Sequence, residues 1–408
     1  MQRWIARYGR LFEINVPVFG RSIVVSDPAL VRLVCAAEPA MLANVEPNLG
    51  NWLGPGSLFA LDGTPHRQHR RLISPALHGE CLRNVATIVE NETLREIALW
   101  PEGVEFRILE PMNRITLNVI LGVLFGDEAE EFDELRAVVP PFIRRGQLLA
   151  FLPTPRHRGR RRSPWRRLDR LRAEFDRLAG SLISRAEADP VLERRSDLLA
   201  VLIRQRRSSG KPVTVQNLCD ELLTLVCAGH ETTAAALAWT VERLRRHPRV
   251  LAALVREADN GGGALRRATV LESLRVRTVI DVFGRRVVAP EFNLDKWRIP
   301  QGCNVLVRVA DLHQYPENFH QPERFDPYRF LGAKPPASAF LPFGGGSRRC
   351  IGAEFAIAEI DLVLRTILRT VELRTDTAPD EDSRFCGVAH VPARGGRIVV
   401  RYRKRPPQ

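Results

Sequence analysis

Between Thr214 and Pro248 the sequence reads as one long helix around which a globular fold has to be built. Thr214 suits the N-cap position, and Pro248 cannot continue the helix before it. The roughly 30 residues between them span about 45 Å at 1.5 Å per residue. From Leu222 to Trp239 apolar residues fall on nearly every face, so the helix belongs inside the core. Its centre contradicts that setting, because it reads Ala228-Gly229-His230-Glu231-Thr232-Thr233. A buried charge or hydroxyl is costly unless it is partnered or used. Gly229 weakens the helix further, by up to about 1 kcal/mol. Two explanations stay open: either Thr232 bonds back to a carbonyl while Glu231 pairs with an arginine, or the cluster is a polar site cut into an apolar helix for chemistry.

A second unusual segment reads Phe343-Gly344-Gly345-Gly346-Ser347-Arg348-Arg349-Cys350-Ile351-Gly352-Ala353. Its glycines let backbone approach another group closely. Two arginines and the start of a following helix surround the Cys350 sulfur, and both influences favour thiolate over thiol. A thiolate is a nucleophile or a metal ligand, although a glycine-rich turn with an incidental cysteine fits the same residues. A phosphate-cradling loop lacks its Gly-Lys-Ser/Thr continuation.

These two segments resemble the cytochrome P450 superfamily. Phe343, Gly346, Arg348, Cys350 and Gly352 fit its FxxGxRxCxG loop, and Ala228–Thr233 fits its (A/G)Gx(D/E)TT helix. The resemblance implies that Cys350 is the thiolate ligand of haem b iron, the metal site of the chain, with Arg348 on a propionate and Phe343 beside the sulfur. It also implies that Gly229 lets dioxygen and substrate approach the helix while Glu231 and Thr232 relay protons. Cleaving the O–O bond to release water requires two protons at the outer oxygen with bulk water excluded.

Three further elements join the resemblance. His66 and Arg70 lie one helical turn apart, a spacing that can donate to two carboxylates. A solvated basic helix face, or a His66/His69 metal pair, fits the same stretch. It resembles the family's HxxxR element, with Arg285 as a further propionate contact and Arg286 as its competitor. Glu272 and Arg275 would ordinarily be a surface pair worth a few tenths of a kcal/mol. They match the family's ExxR element, a buried structural network completed by a later arginine. Arg329 is the expected third member and Arg324 the runner-up, because P-x-R-F occurs at both places. Departures from the pattern are Thr278, where proline is usual, and Asp281, where an apolar residue or proline is common; a more polar pocket is expected beside them. By resemblance the pocket is shaped by residues near 45–60, 140–185, 279–284 and 385–388.

Lys and Arg total 61 against 47 Asp and Glu, a net charge of +14, and only four of the cations are lysines. That balance invites nucleic acid, an anionic surface or an acidic protein. Arginine is densest between Arg156 and Arg172, yet no nucleic-acid-binding motif accompanies it. The seven scattered cysteines form no CxxC pair, so a reducing cytoplasm is the expected compartment. No signal peptide and no apolar run of spanning length is evident, so no membrane anchor is expected.

The expected fold is mainly α: one cytochrome P450 domain over residues 1–408. Its helical core covers about 65–275 and 350–373. A small β-rich lobe comes from about 10–35, 279–310 and 385–403, the last including a strand pair around Gly395–Gly396. The implied activity is a haem-thiolate monooxygenase acting on an apolar small molecule. Its electrons would come from an acidic ferredoxin-type donor with an NAD(P)H-dependent reductase, and no nucleic acid is expected as partner. A same-fold peroxygenase or haem isomerase without a redox partner is the alternative, and a non-catalytic arginine-rich nucleic-acid binder is the alternative of another class.

Overall fold

The structure is a computed structural model and describes residues 7–46, 48–77, 80–126, 130–149, 163–209, 214–332 and 337–403. The helices are α1 (Pro28–Ala36), α2 (Gly63–Ile73), α3 (Glu80–Ile97), α4 (Leu109–Phe125), α5 (Glu131–Leu149), α6 (Trp165–Ala188), α7 (Leu198–Ser209), α8 (Val215–Arg246), α9 (Pro248–Asp259), α10 (Ala264–Val276) and α11 (Ala353–Thr370), with single helical turns elsewhere. The strands are β1 (Leu11–Val16), β2 (Gly20–Val25), β3 (Leu42–Ala43), β4 (Phe106–Arg107), β5 (Val282–Val287), β6 (Glu291–Leu294), β7 (Trp297–Pro300), β8 (Asn304–Arg308), β9 (Val371–Leu373), β10 (Ser383–Cys386), β11 (Ala389–Pro392), β12 (Arg397–Ile398) and β13 (Val400–Tyr402). The fold is therefore mainly α with a small β lobe.

The long helix forms as expected. Thr214 accepts the backbone N–H of Asn217, and α8 ends at Arg246 before Pro248. Two apolar clusters share it. Leu218 to Val226 pack with α4, α5, α6 and α7, whereas Ala234 to Leu244 pack with α3, α4, α9, α10 and α11. Each large aliphatic side chain buried there contributes about 1.5–3 kcal/mol. Ala228 lies between the clusters and is exposed, in the middle of an otherwise buried helix. The mid-helix motif therefore marks a break in the core.

The β lobe holds a five-stranded sheet in the order β1-β2-β8-β5-β3, in which β2 and β8 run parallel. Three expected boundaries are corrected. Residues 28–36 are helix, because Asp27 caps the N–H groups of Ala29 and Leu30 and Pro28 opens the first turn. The helix after Cys350 stops at Thr370, where Val371–Leu373 leaves it to pair with β13. The strands around Gly395–Gly396 do not pair with each other: β11 pairs with β10, β12 with β4 and β13 with β9. The buried Glu381 carboxylate accepts the backbone N–H groups of Arg394, Gly396 and Arg397. It therefore occupies the donors that a hairpin ladder would need.

Candidate active site

The cysteine loop is shaped by what presses on it. A Cβ at Gly345 would collide with the Cys35 sulfur, and one at Gly346 with the Cys35 carbonyl, so the end of α1 lies directly against the loop. Gly344 and Gly346 also take φ of 66° and 68°, where a side chain is strained. Cys350 N–H donates to the Phe343 carbonyl at 2.9 Å and closes the loop, and Gly352 then starts α11. Phe343 packs against the second apolar cluster. The Cys350 side chain is exposed. Burial within the surrounding protein nevertheless pushes its thiol pKa up, with the Gly352 N–H, Arg70 and Arg349 opposing. Arg70, Arg349 and the start of α11 thus act on the sulfur in the expected direction, against the cost of burying a charge. A metal ion bound to the sulfur would remove the proton outright.

Beside the loop is a concentration of cationic groups. Arg348 donates to the Leu58 and Leu61 carbonyls and to Asp62. Arg285 reaches Gly345 O at 3.4 Å, and its pKa is pushed down to about 10 by burial and by Arg348. Arg70 is lowered by burial, with Arg349 and Arg348 repelling it and Cys350 opposing. His66 is pushed down to about 4 by burial, then by Arg348, Arg70 and Arg285. The four groups thus face one another, with Asp62 as the carboxylate that Arg348 holds. Arg286 is exposed on the other face of β5. Three part-buried arginines with a neutral imidazole among them are complementary to a ligand with two carboxylates. His66, Arg70, Arg285, Arg348 and Cys350 therefore fit a haem with its propionates.

On α8 the six motif residues divide by direction. His230 is buried, with Nδ1 3.0 Å from Thr116 Oγ1, and burial lowers its pKa to about 4. Thr232 Oγ1 donates back to the Ala228 carbonyl at 2.7 Å. A Cβ at Gly229 would stand 3.2 Å from Ile120 Cδ1. Among the described residues Glu231 has no arginine in bonding range; its Oε2 accepts the Gln147 amide. Burial raises the Glu231 pKa, against the Gln147 bond and the Arg144 charge. Thr232 thus makes the back-bond that a purely structural cluster requires, whereas Glu231 does not make the expected ion pair.

The Glu272–Arg275 pair is fully buried, with two bonds of 2.8 Å. Arg275 also donates to the carbonyls of His313, Pro322 and Arg324, and Glu272 also accepts the Asp326 N–H at 2.7 Å. Arg329 Nε completes the group at 3.2 Å from Glu272. Arg324 contributes only its carbonyl, since its own guanidinium binds Gln321. His313 carried no sequence signal. It accepts the Leu341 N–H on Nε2, so Nδ1–H donates to Thr278 at 2.9 Å, and it thereby ties α10 to the start of the cysteine loop.

Thr278 and Asp281, the two departures from the family pattern, are both held by protein partners. Thr278 is committed to His313 and to α10 carbonyls. Asp281 is pushed up by burial but held below its usual range by His390 and Arg308. Its carboxylate pairs with Arg308 at 2.5 Å and His390 at 3.3 Å. In the arginine-rich stretch, Arg172 pairs with Asp176 and Asp220 and donates to Leu53 O. Arg166, Arg167 and Arg170 are exposed, and residues 156–162 lie outside the described residues.

Comparison with known proteins agrees with this geometry. The family model described as Cytochrome P450 matches residues 2–396. Cytochrome P450 138 of Mycobacterium tuberculosis (strain ATCC 25618 / H37Rv) is 49% identical over 98% of this chain and 91% of its own. Cytochrome P450 135B1 of the same strain is 38% identical over 97% of this chain and 85% of its own. Among solved structures, retinoic acid-bound cyanobacterial CYP120A1 superposes with a TM-score of 0.85 at 20% identity, covering 98% of this chain and 93% of that one, a likeness of fold. Among the described residues, no helix is long and apolar enough to cross a membrane. With a family match over nearly the whole chain and relatives of this identity, the chain belongs to the cytochrome P450 family and is a haem-thiolate monooxygenase.

Proposed function

We propose that the Cys350 sulfur would hold the iron of haem b and that the protein inserts one oxygen atom into an apolar organic molecule. In this reading the electrons come from a ferredoxin-type donor served by an NAD(P)H-dependent reductase, and residues 1–408 act as one domain in the cytoplasm. The observation that carries the reading is the gathering of Arg285, Arg348 and Arg70 with a neutral His66 around the loop of the exposed Cys350. Bound there, haem would supply dioxygen activation, which thiolate donation favours. His66, Arg70, Arg285 and Arg348 would hold its carboxylates, and Phe343 would lie beside the sulfur. Glu272, Arg275 and Arg329 hold the loop in register.

On α8, Gly229 leaves room for Ile120 of α4. Glu231, whose carboxyl accepts the Gln147 amide and whose pKa burial raises, would pass a proton. Thr232 presents a hydroxyl whose lone pairs can accept a proton while it donates to Ala228. Ile280, Val282 and Phe385 are exposed apolar side chains in segments expected to border the substrate, which supports an apolar ligand.

The test is turnover with a ferredoxin, its reductase, NAD(P)H and isotopically labelled dioxygen on a panel of apolar compounds. One labelled oxygen in the product is expected; unlabelled product, or equal turnover without an electron donor, overturns the reading. Thr232→Ala should lower product formed per NAD(P)H about tenfold or more, with hydrogen peroxide in its place, since positioned proton transfer is worth roughly 10²–10⁴-fold. Unchanged coupling would remove Thr232 from the relay. Arg349 is 52% exposed beside the loop, and Arg349→Glu should slow reduction by the ferredoxin several-fold at low salt, with the difference shrinking at high salt. A salt-independent rate equal to that of the parent would place the donor elsewhere.

A further inference from the structure

Gln147 lies in the last turn of α5, is buried, and donates its amide Nε2 to Glu231 Oε2. The amide is held from a second side. Gly387, in the turn between β10 and β11, has a φ of 65°, and a Cβ there would overlap the Gln147 Cβ, Cγ and Cδ atoms. The hairpin backbone therefore lies against the Gln147 stem, and three separate elements converge on one carboxyl. The other ionisable groups facing it are Arg144 on α5 and the Cys227 thiol on α8, with Arg172 of α6 acting on Cys227.

We propose that Gln147 is a positioning residue for proton delivery, fixing the Glu231 carboxyl from α5 while Gly387 of the β10–β11 turn fixes Gln147. This rests on the reading of Glu231 as the proton donor. An arginine in the same place would lock the carboxyl in its ionised form. A neutral amide orients one oxygen and leaves the other to release a proton toward the reaction and regain one from solvent. The arrangement also explains why a glycine with positive φ occupies the hairpin turn: a side chain there would push the amide off Glu231.

The test uses the full-length, haem-loaded protein and two variants. Gln147→Met keeps the length and removes the donor; Gln147→Lys replaces the donor by a cation. The infrared carboxyl band of Glu231, assigned by its loss in Glu231→Gln, is followed against pH. Its midpoint should rise by about one unit in Gln147→Met, the worth of a hydrogen bond to a charged group, and fall in Gln147→Lys. Gly387→Ala should shift it in the same direction as Gln147→Met. The carbon monoxide spectrum of each variant should match the parent. Midpoints that move the same way in Gln147→Met and Gln147→Lys, or not at all, overturn the proposal while leaving Glu231 as donor. Normal coupling in Glu231→Gln overturns the donor reading, and this inference with it.

Discussion

Cys350→Ala is expected to abolish the strongly red-shifted Soret band of the reduced carbon monoxide complex, whereas Cys303→Ala and Cys35→Ala keep it. The two controls answer different objections. Cys303 is buried in the apolar centre of the β lobe, so it reports on loss of any cysteine. Cys35 is a stricter control, because its sulfur touches Gly345 in the loop itself. Burial raises the Cys35 thiol pKa, and Arg285 only partly opposes. Of the three sulfurs, Cys350 alone is exposed, so it alone can reach a metal without rearrangement. Equal behaviour of Cys350→Ala and Cys35→Ala would refute the ligand assignment.

Arg275→Ala is expected to cost about 3–5 kcal/mol of stability, because it takes the bidentate partner from the fully buried Glu272 carboxylate and leaves it to Arg329 and the Asp326 N–H. That is a large part of the roughly 5–15 kcal/mol by which folded proteins are stable. The network ranks its members. Arg329→Ala should cost less, since Arg275 still provides two bonds to Glu272. Arg324→Ala should fall within about 0.5 kcal/mol, because only its backbone carbonyl is used. Equilibrium denaturation of the three variants checks the order. Equal losses at Arg324 and Arg329 would show that the third member was misassigned.

Sequence carried the parts of this site whose chemistry is local. The break in α8 was visible because six polar or small residues interrupt a long apolar run, and the cysteine loop because its glycines, arginines and cysteine are contiguous. Glu272 and Arg275 were legible only as a helical pair, and their burial depends on carbonyls from residues 313–324 that no spacing announces. Gln147, His313 and Cys35 were missed for the same reason: each acts on a residue distant in the chain. The helix at 28–36 was hidden in a β-branched stretch and decided by the Asp27 cap. The strands after Gly395 diverge because Glu381 holds their turn. The charges around Cys350 were readable from sequence, whereas the burial that opposes them is a property of the fold. Arginine charge that resembled a nucleic-acid signal is in part internal, at Arg172, Arg275, Arg285 and Arg348.

The central claim is that this chain binds haem through a cysteine thiolate. The most direct measurement is the visible spectrum of the purified parent protein, supplemented with haem, reduced and exposed to carbon monoxide. A strongly red-shifted Soret band is the predicted result. A colourless preparation, or a carbonyl band at the position typical of histidine-ligated haem, would contradict it.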